Sequence, residues 1–251
     1  MTETELKLAK APIVEAVLDI NCDMPPAFDL AALEGAARDA FQAQYPKFRT
    51  RFLEQHRFES MAGEPTKHFA KRAIQALQFL HDDEKQLVQV RAQGFSFNRL
   101  ALYTSLDDYL SEIQRTWEIF VGIASPVQIR VVQLRYINRI LLPLTDGRVE
   151  LDKYFKLSPT LPDKNKLQFA GFLNQHTAVE VDTGRQVNIV LASQPPEKDK
   201  LSIIFDICVT SAGATAAKDW TWILAEIQSL RDLKNRIFRN TLTKKCLNLF
   251  R

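Results

Sequence analysis

Residues 12–18, with the sequence PIVEAVL, are echoed by residues 126–132, with the sequence PVQIRVV. A second pair, LSEIQ at 110–114 and LAEIQ at 224–228, is separated by the same 114 positions (126 − 12 and 224 − 110). Two matches with one offset, close to half of the 251-residue chain, indicate an internal duplication of domain size. We therefore expect two halves, residues 1–125 and 126–251, packed together as one unit.

The first half has the residue pattern of a strand, a helix, three strands and a closing helix. Residues 12–21 are rich in Val and Ile, which predicts a strand. Apolar residues at helical spacing predict one helix over 28–45 and another over 107–123. Between these helices, strands are predicted over 48–60, 69–81 and 86–97.

The second half repeats this order with a reduced first helix. A long strand is predicted over 127–142, and its apolar positions change face near Val131 and Val132, which indicates a β-bulge there. Residues 151–157 have room for only one or two helical turns. Three further strands and a closing helix are predicted over 166–181, 185–193, 200–210 and 218–239. Runs of neighbouring strands with helices at the ends predict an α+β fold of antiparallel sheets with flanking helices, in two β-α-β-β-β-α halves.

Composition is that of an ordinary globular protein, with 46% hydrophobic and 25% charged residues. No apolar stretch is long enough to span a membrane and the N-terminus lacks the pattern of a signal peptide, so we expect a cytoplasmic protein without a membrane partner. The three cysteines are widely spaced and odd in number, which predicts buried, reduced thiols rather than disulfides or a zinc site.

Basic residues are concentrated near the C-terminus. Residues 231–251 contain seven of them against the single acid Asp232. Two interpretations remain open: a solvated helix end whose cations offset the helix dipole, or a surface for nucleic acid or another acidic partner.

Motifs of known chemistry are missing from the sequence. The four histidines have neither the spacing of a helical metal pair nor a neighbouring cysteine, no Gly-x-Ser-x-Gly elbow occurs, and the glycines are scattered singly. We therefore predict no catalytic residue, no metal site and no cofactor.

The strand around Arg135 is the best candidate binding site. If Leu134 and Tyr136 face the core, Gln133, Arg135 and Arg139 share the other face, and guanidinium groups suit carboxylates and phosphates. Alternatively, the two arginines pair with internal acids such as Glu180 or Asp206. The predicted ligand-binding residues are Gln133, Arg135, Asn138 and Arg139, of which Asn138 lies on the Tyr136 face.

Four segments resemble, in order, those of an uncharacterised bacterial protein family of similar length whose members occur sporadically. They are PIVEAV at 12–17, GFSFN at 94–98, LRYINRI at 134–140 and IFxxxLT at 237–243. The resemblance covers nearly the whole chain and implies no catalytic or binding residues. Sporadic occurrence suggests mobile genes, such as those of defence or toxin–antitoxin loci.

Two classes of function remain. The first is a non-enzymatic binding protein that recognises a protein partner or a small anionic ligand at the junction of its halves, with a homodimer as one possible assembly. The alternative is a metal-independent nuclease or nucleic-acid-processing factor. It would use Arg135 and Arg139 together with one histidine, and the histidine would be the general base. We expect binding rather than catalysis, and nucleic acid is the less favoured partner.

Overall fold

The computed structural model describes residues 8–61, 67–145, 147–157, 159–163, 166–167 and 169–251. Residues 1–7, at the start of the first predicted half, and residue 168, in the strand predicted over 166–181, lie outside the described residues. The strands are β1 (Ile13–Asp23), β2 (Lys47–Glu59), β3 (Lys67–Leu80), β4 (Gln86–Arg91), β5 (Gly94–Leu100), β6 (Gln128–Pro143), β7 (Leu173–Val179), β8 (Gln186–Ser193) and β9 (Lys200–Thr215). The helices are α1 (Leu30–Phe41), α2 (Leu110–Ala124), α3 (Trp220–Thr241) and α4 (Lys244–Leu247), with short 3-10 turns at Asp107–Tyr109, Leu151–Lys153 and Asn248–Phe250.

The nine strands of the described residues form one antiparallel sheet in the order β2-β3-β4-β5-β1-β6-β9-β8-β7. The predicted α+β class is therefore confirmed. In the first part of the chain, the first strand β1 pairs with the last strand β5, and in the second part β6 pairs with β9 in the same way. Strands β1 and β6 pair with each other at the middle of the sheet. We call this central β1–β6 pair the seam.

Strand register carries the same offset as the sequence echoes. Leu18 pairs with Phe97 across β1 and β5, and the residues 114 positions later, Val132 and Ser211, pair across β6 and β9. At the seam, Asp19 lies opposite Gln133, again 114 positions apart.

Sequence and structure differ in the segment predicted as one strand over 86–97. It forms two strands, β4 and β5, joined by a tight turn at Ala92 and Gln93, so four strands rather than three separate α1 from α2. Gly94 makes this turn possible, because its φ of 137° is a conformation that other residues rarely adopt.

The bulge predicted near Val131 and Val132 is confirmed one residue earlier. The register shifts on both sides of β6 fall between Ile129 and Val131. Arg130 is the extra residue against β1, whereas against β9 the extra residue lies on β9, between Ala212 and Thr215. The strand predicted over 166–181 begins only at Leu173, and the helix predicted over 28–45 ends at Phe41.

Helices α1 and α3 begin at aspartate caps. Asp29 accepts a hydrogen bond from the Ala31 amide at 3.0 Å, and Asp219 accepts one from the Trp222 amide at 3.0 Å. In the part of the chain that the structure describes, no helix is both long and apolar enough to cross a bilayer.

Candidate functional site

The two faces of the sheet differ in what covers them. Ile20 lies between Phe95 and Val132 in the register, and all three side chains are buried beneath helices. Each of the three long helices contacts this same face through an aromatic pair: Phe41 with Phe79, Trp117 with Phe95 and Phe238 with Phe205. The opposite face, which we call the open face, contains the alternate residues, among them Asp19, Gln133 and Arg135.

A row of polar side chains crosses the seam on the open face. Register aligns Ser96, Asp19, Gln133 and Thr210 on four neighbouring strands. The Ser96 hydroxyl donates to one oxygen of Asp19, and Gln133 Nε2 donates to the other at 3.2 Å. The Thr210 hydroxyl donates to Gln133 Oε1 at 3.3 Å. Gln133 therefore links the two parts of the sheet by hydrogen bonds.

Arg91 lies beside this row, on β4. Its Nη2 is 3.3 Å from Asp19 Oδ1, 2.8 Å from Asn21 Oδ1 and 3.0 Å from the Phe95 carbonyl oxygen. Its buried Nε has no hydrogen-bond partner among the described residues. Asp19 thus accepts hydrogen bonds from Ser96 and Gln133 and pairs with a guanidinium group as well.

A second chain of hydrogen bonds extends the polar region toward β3. Gln78 donates to Gln89 at 2.9 Å, Gln89 donates to Asn98 at 2.9 Å, and Asn98 donates to Glu15 at 2.8 Å. Gln89 and Asn98 are buried even though no long helix lies over them. Neighbouring polar side chains cover each other here, so these four side chains find hydrogen-bond partners within the protein.

Arg135 projects from β6 onto the open face and is held by Asp206 on β9. Arg135 Nε lies 3.0 Å from each carboxylate oxygen, and Nη2 lies 2.5 Å from Oδ2. The Asp206 side chain is only 11% exposed, whereas that of Arg135 is 45% exposed. Hydrogen bonding to Asp206 raises the pKa of the guanidinium above its ordinary value.

Arg139 lies two pleats further along β6 and also has acceptors within the chain. Its Nε donates to the Ser202 hydroxyl at 3.2 Å, and its Nη2 forms an ion pair with Glu197 in the turn before β9. Both arginines thus have internal acid partners, one of which, Asp206, is an acid that the sequence suggested. Glu180, the other suggested acid, pairs with Arg236 and Arg185 instead.

Asn138 lies on the helix-covered face, as its parity predicted, and so apart from Gln133, Arg135 and Arg139. Its Nδ2 donates to the Phe205 carbonyl at 2.9 Å. Its buried Oδ1 has no partner among the described residues. The structure therefore brings three of the four predicted binding residues to one face and places the fourth in the core.

Sequence reasoning missed Asp19, Arg91 and Ser96. The available signal was charge within a strand, since Glu15 and Asp19 alternate with the buried Ala16, Leu18 and Ile20. An acid at the centre of a strand needs partners, and here β4, β5 and β6 supply those of Asp19.

Three of the seven basic residues near the C-terminus interact with other side chains of the protein. Arg231 pairs with Asp107 at 2.7 Å, and Arg236 pairs with Glu180. Lys234 is buried with its Nζ 3.7 Å from the centre of the Tyr136 ring. Their separate environments favour structural roles for these three cations over a shared nucleic-acid surface.

One candidate nucleophile lies beside the arginines, since Cys208 pairs with Arg135 across β6 and β9, and burial raises the pKa of its thiol above the ordinary value. Burial raises the pKa of Cys22 and of Cys246 to about 12, which keeps both thiols protonated. His56 and His68 contact each other on β2 and β3 with ring nitrogens 2.9 Å apart, and His176 lies on the helix-covered side of β7. Among the described residues, no group of three or more His, Cys, Asp or Glu side chains could hold a metal ion.

A cavity of about 710 Å³ lies between the segment that follows β6 and the β8–β9 turn. Its walls are mainly apolar, including Leu151, Phe169 and Phe172, with Arg148 and Glu150 among the polar residues. Such a lining is typical of sites for small molecules. The four residues predicted from the sequence are not part of its lining.

Comparisons with protein-family models, with curated proteins and with solved structures found no match to this chain.

Proposed function

We propose that this chain is a non-enzymatic binding protein whose open face receives a protein partner or a small anionic ligand beside the seam. The observation that supports this most is the pair of guanidinium groups on β6. Arg135 and Arg139 are each oriented by an acid, and their side chains are 45% and 38% exposed. Fixed guanidinium groups lose little conformational freedom when they bind a carboxylate or phosphate.

Asp206 leaves one side of Arg135 available to such a ligand. The carboxylate engages Nε and Nη2, so Nη1 is the donor that an anion would reach first. Charge-assisted hydrogen bonds of this kind are about twice as strong as neutral ones. The polar row at Asp19 and Gln133 would provide further hydrogen-bonding groups next to the anion.

The alternative, a metal-independent nuclease or nucleic-acid-processing factor, needs a general base within hydrogen-bond reach of the reacting group. In the described part of the chain, no histidine lies on β6 or on the strands that pair with it, β1 and β9, which counts against a histidine base beside the arginines. Membership of a defence or toxin–antitoxin locus remains part of the proposal and rests on the family resemblance alone.

We further propose that residues 1–125 and 126–251 arose from one duplicated unit. Equal register offsets within β1–β5 and β6–β9 support this origin, as does the place of α2 and α3 after the last strand of each half. Duplication would explain why the binding residues lie at the seam, where the two units meet.

The test of function is the double variant Arg135→Gln/Arg139→Gln. Pyrophosphate serves as the small anionic probe, and calorimetry measures its affinity. The variant should bind at least tenfold more weakly, a loss of about 1.4 kcal/mol, because charge-assisted hydrogen bonds are removed. Arg38→Gln is the matched control, since Arg38 is a partly exposed, ion-paired arginine on α1, away from the open face.

Thermal unfolding of the same proteins separates binding from stability. In the double variant Asp206 loses its partner Arg135, which should lower the melting temperature by a few degrees. Affinity is therefore compared at a temperature well below the unfolding transitions of the variant and the wild type. Equal pyrophosphate affinity of variant and wild type would remove the arginines from the site. Cleavage of DNA or RNA oligonucleotides by the wild type, abolished in the double variant, would instead establish the nuclease alternative.

A further inference from the structure

The two edge strands of the sheet differ in how they are protected. An exposed edge presents unpaired backbone groups, and proteins usually guard it with charges, prolines or bulges. Strand β2 has such protection, with Lys47, Arg49 and Glu54 among its charges and a register shift against β3 between Arg51 and Phe52. Strand β7, LNQHTAV, contains no charged residue, proline or glycine, and its register with β8 has no bulge.

Strand β7 is also exposed along most of its length. Every residue of it except Asn174 is exposed, and Leu173 and Val179 retain 69% and 60% of their accessible surface. In the described part of the chain, β8 is the only strand that pairs with β7. An unprotected edge with large apolar side chains at both ends is typical of a surface that pairs with another strand.

The sequence of β7 complements itself when two copies run antiparallel around His176. In that register Leu173 lies opposite Val179, both apolar and both on the open face. Gln175 lies opposite Thr177, so two polar residues meet. His176 lies opposite the His176 of the second copy. This symmetry about the middle residue is what a twofold axis between identical chains requires.

An apolar groove lies beside β7 on the helix-covered side. Its volume is about 410 Å³, and Ala178, Val187, Ile189, Leu233 and Ile237 are among its walls. Strand pairing alone buries little side-chain surface, whereas a stable interface buries about 800 Å² on each partner. Two copies joined at β7 would place their grooves and both α3 helices on the same side of the sheet, which supplies further apolar surface.

We propose that β7 pairs with β7 of a second copy of this chain, antiparallel around His176, to form a homodimer with one continuous sheet. Backbone hydrogen bonds would satisfy the outer edge of β7, and the apolar ends would be covered. This proposal is independent of the anion site, because the open-face arginines lie on β6.

A charge swap at residue 176 tests the proposal. By light scattering, the wild type should have twice the 28.7 kDa mass of one chain. His176→Lys and His176→Glu should each be monomeric, since like charges would face each other across the axis. An equimolar mixture of the two variants should form a dimer again, because the charges are then opposite. Gln55→Lys, on the protected edge β2, is the matched control and should remain dimeric.

Three results would overturn the proposal: a monomeric wild type at the highest concentration reached, dimeric single-charge variants, or a mixture that stays monomeric. If a charged variant fails to fold by circular dichroism, His176→Cys replaces it. Paired Cα atoms across an antiparallel ladder are about 4.5–5.5 Å apart, which suits a disulfide. Oxidation should then convert most of the protein into covalent dimers, and an absence of that product would overturn the proposal as well.

Discussion

At the scale of single residues, Lys234 is a cation that folding removes from water. Its side chain is buried against the Tyr136 ring, and burial together with Arg231 lowers its pKa from 10.5 to about 7. In the unfolded chain, the ammonium group keeps its ordinary pKa. Between pH 7 and 10.5 the unfolded state therefore binds more protons than the folded state, so the cost of burying Lys234 is largest below pH 7 and declines as pH rises.

Replacing Lys234 with Met should therefore increase the free energy of unfolding at neutral pH. We expect a gain of about 2 kcal/mol or more at pH 7, since each pKa unit corresponds to about 1.4 kcal/mol and the lost cation–π contact offsets part of the gain. The difference from wild type should shrink at pH 9. Urea denaturation at both pH values measures it.

Lys245 provides the control for this comparison. It also lies over a tyrosine ring, 4.7 Å from the centre of Tyr154, but is exposed. Lys245→Met should change the free energy of unfolding little and by the same amount at both pH values. If the change in free energy of unfolding caused by Lys234→Met were the same at both pH values, Lys234 would not be neutralised by folding.

At the scale of elements, the start of β5 depends on one glycine. A Cβ atom at Gly94 would lie 2.1 Å from the Ile20 carbonyl oxygen of β1, and the φ of 137° is unfavourable for any other residue. Gly94→Ala should therefore separate β5 from β1 locally and cost about 3 kcal/mol or more in unfolding free energy.

Gly122→Ala is the matched control for that substitution. Gly122 lies within α2, and a Cβ atom added to it would meet no neighbouring atom within 4 Å, so alanine should stabilise the helix by about 0.5–1 kcal/mol. Chemical denaturation of the two variants should give changes of opposite sign. Similar changes in both would contradict the close approach of β5 to β1.

Regular elements could be predicted because their periodicity is local. The change of face along β6 revealed the bulge, since apolar parity records which side of a strand is buried. The split between β4 and β5 was missed because Ala92-Gln93 lacks the Asn-Gly or Asp-Gly pair typical of two-residue turns. The β1–β6 contact was also beyond prediction, because strand order depends on packing across the whole chain.

Only part of the candidate site could be predicted for the same reason. Alternation along β6 placed Gln133, Arg135 and Arg139 on one face, which the structure also has. The choice of Asp206 over Glu180 as the partner of Arg135 depends on the register of β6 against β9, which joins residues 71 positions apart. Asp19 and Ser96 joined the site through the register of β1 with β5, which local patterns do not encode.

At the scale of the whole molecule, the seam makes each half depend on the other. Separated after residue 125, the first half would expose the full edge of β1, and the second half would expose β6, a strand of 16 residues. We expect neither fragment alone to give a cooperative unfolding transition, because exposed central strands aggregate. Co-expression of residues 1–125 and 126–251 should restore a complex, measured by co-purification and circular dichroism. A stable monomer of residues 1–125 would contradict this.

The central place of β1 also has a consequence for synthesis on the ribosome. Its partner on one side, β5, is complete at Leu100, whereas its partner on the other side, β6, is complete only at Pro143. At about 5–20 residues per second, several seconds pass between these two points. During that interval a nascent chain offers a long bare strand edge to its neighbours on a polysome. Slowing translation between residues 100 and 143 should therefore favour aggregation, and a chaperone that holds nascent chains would be most needed there.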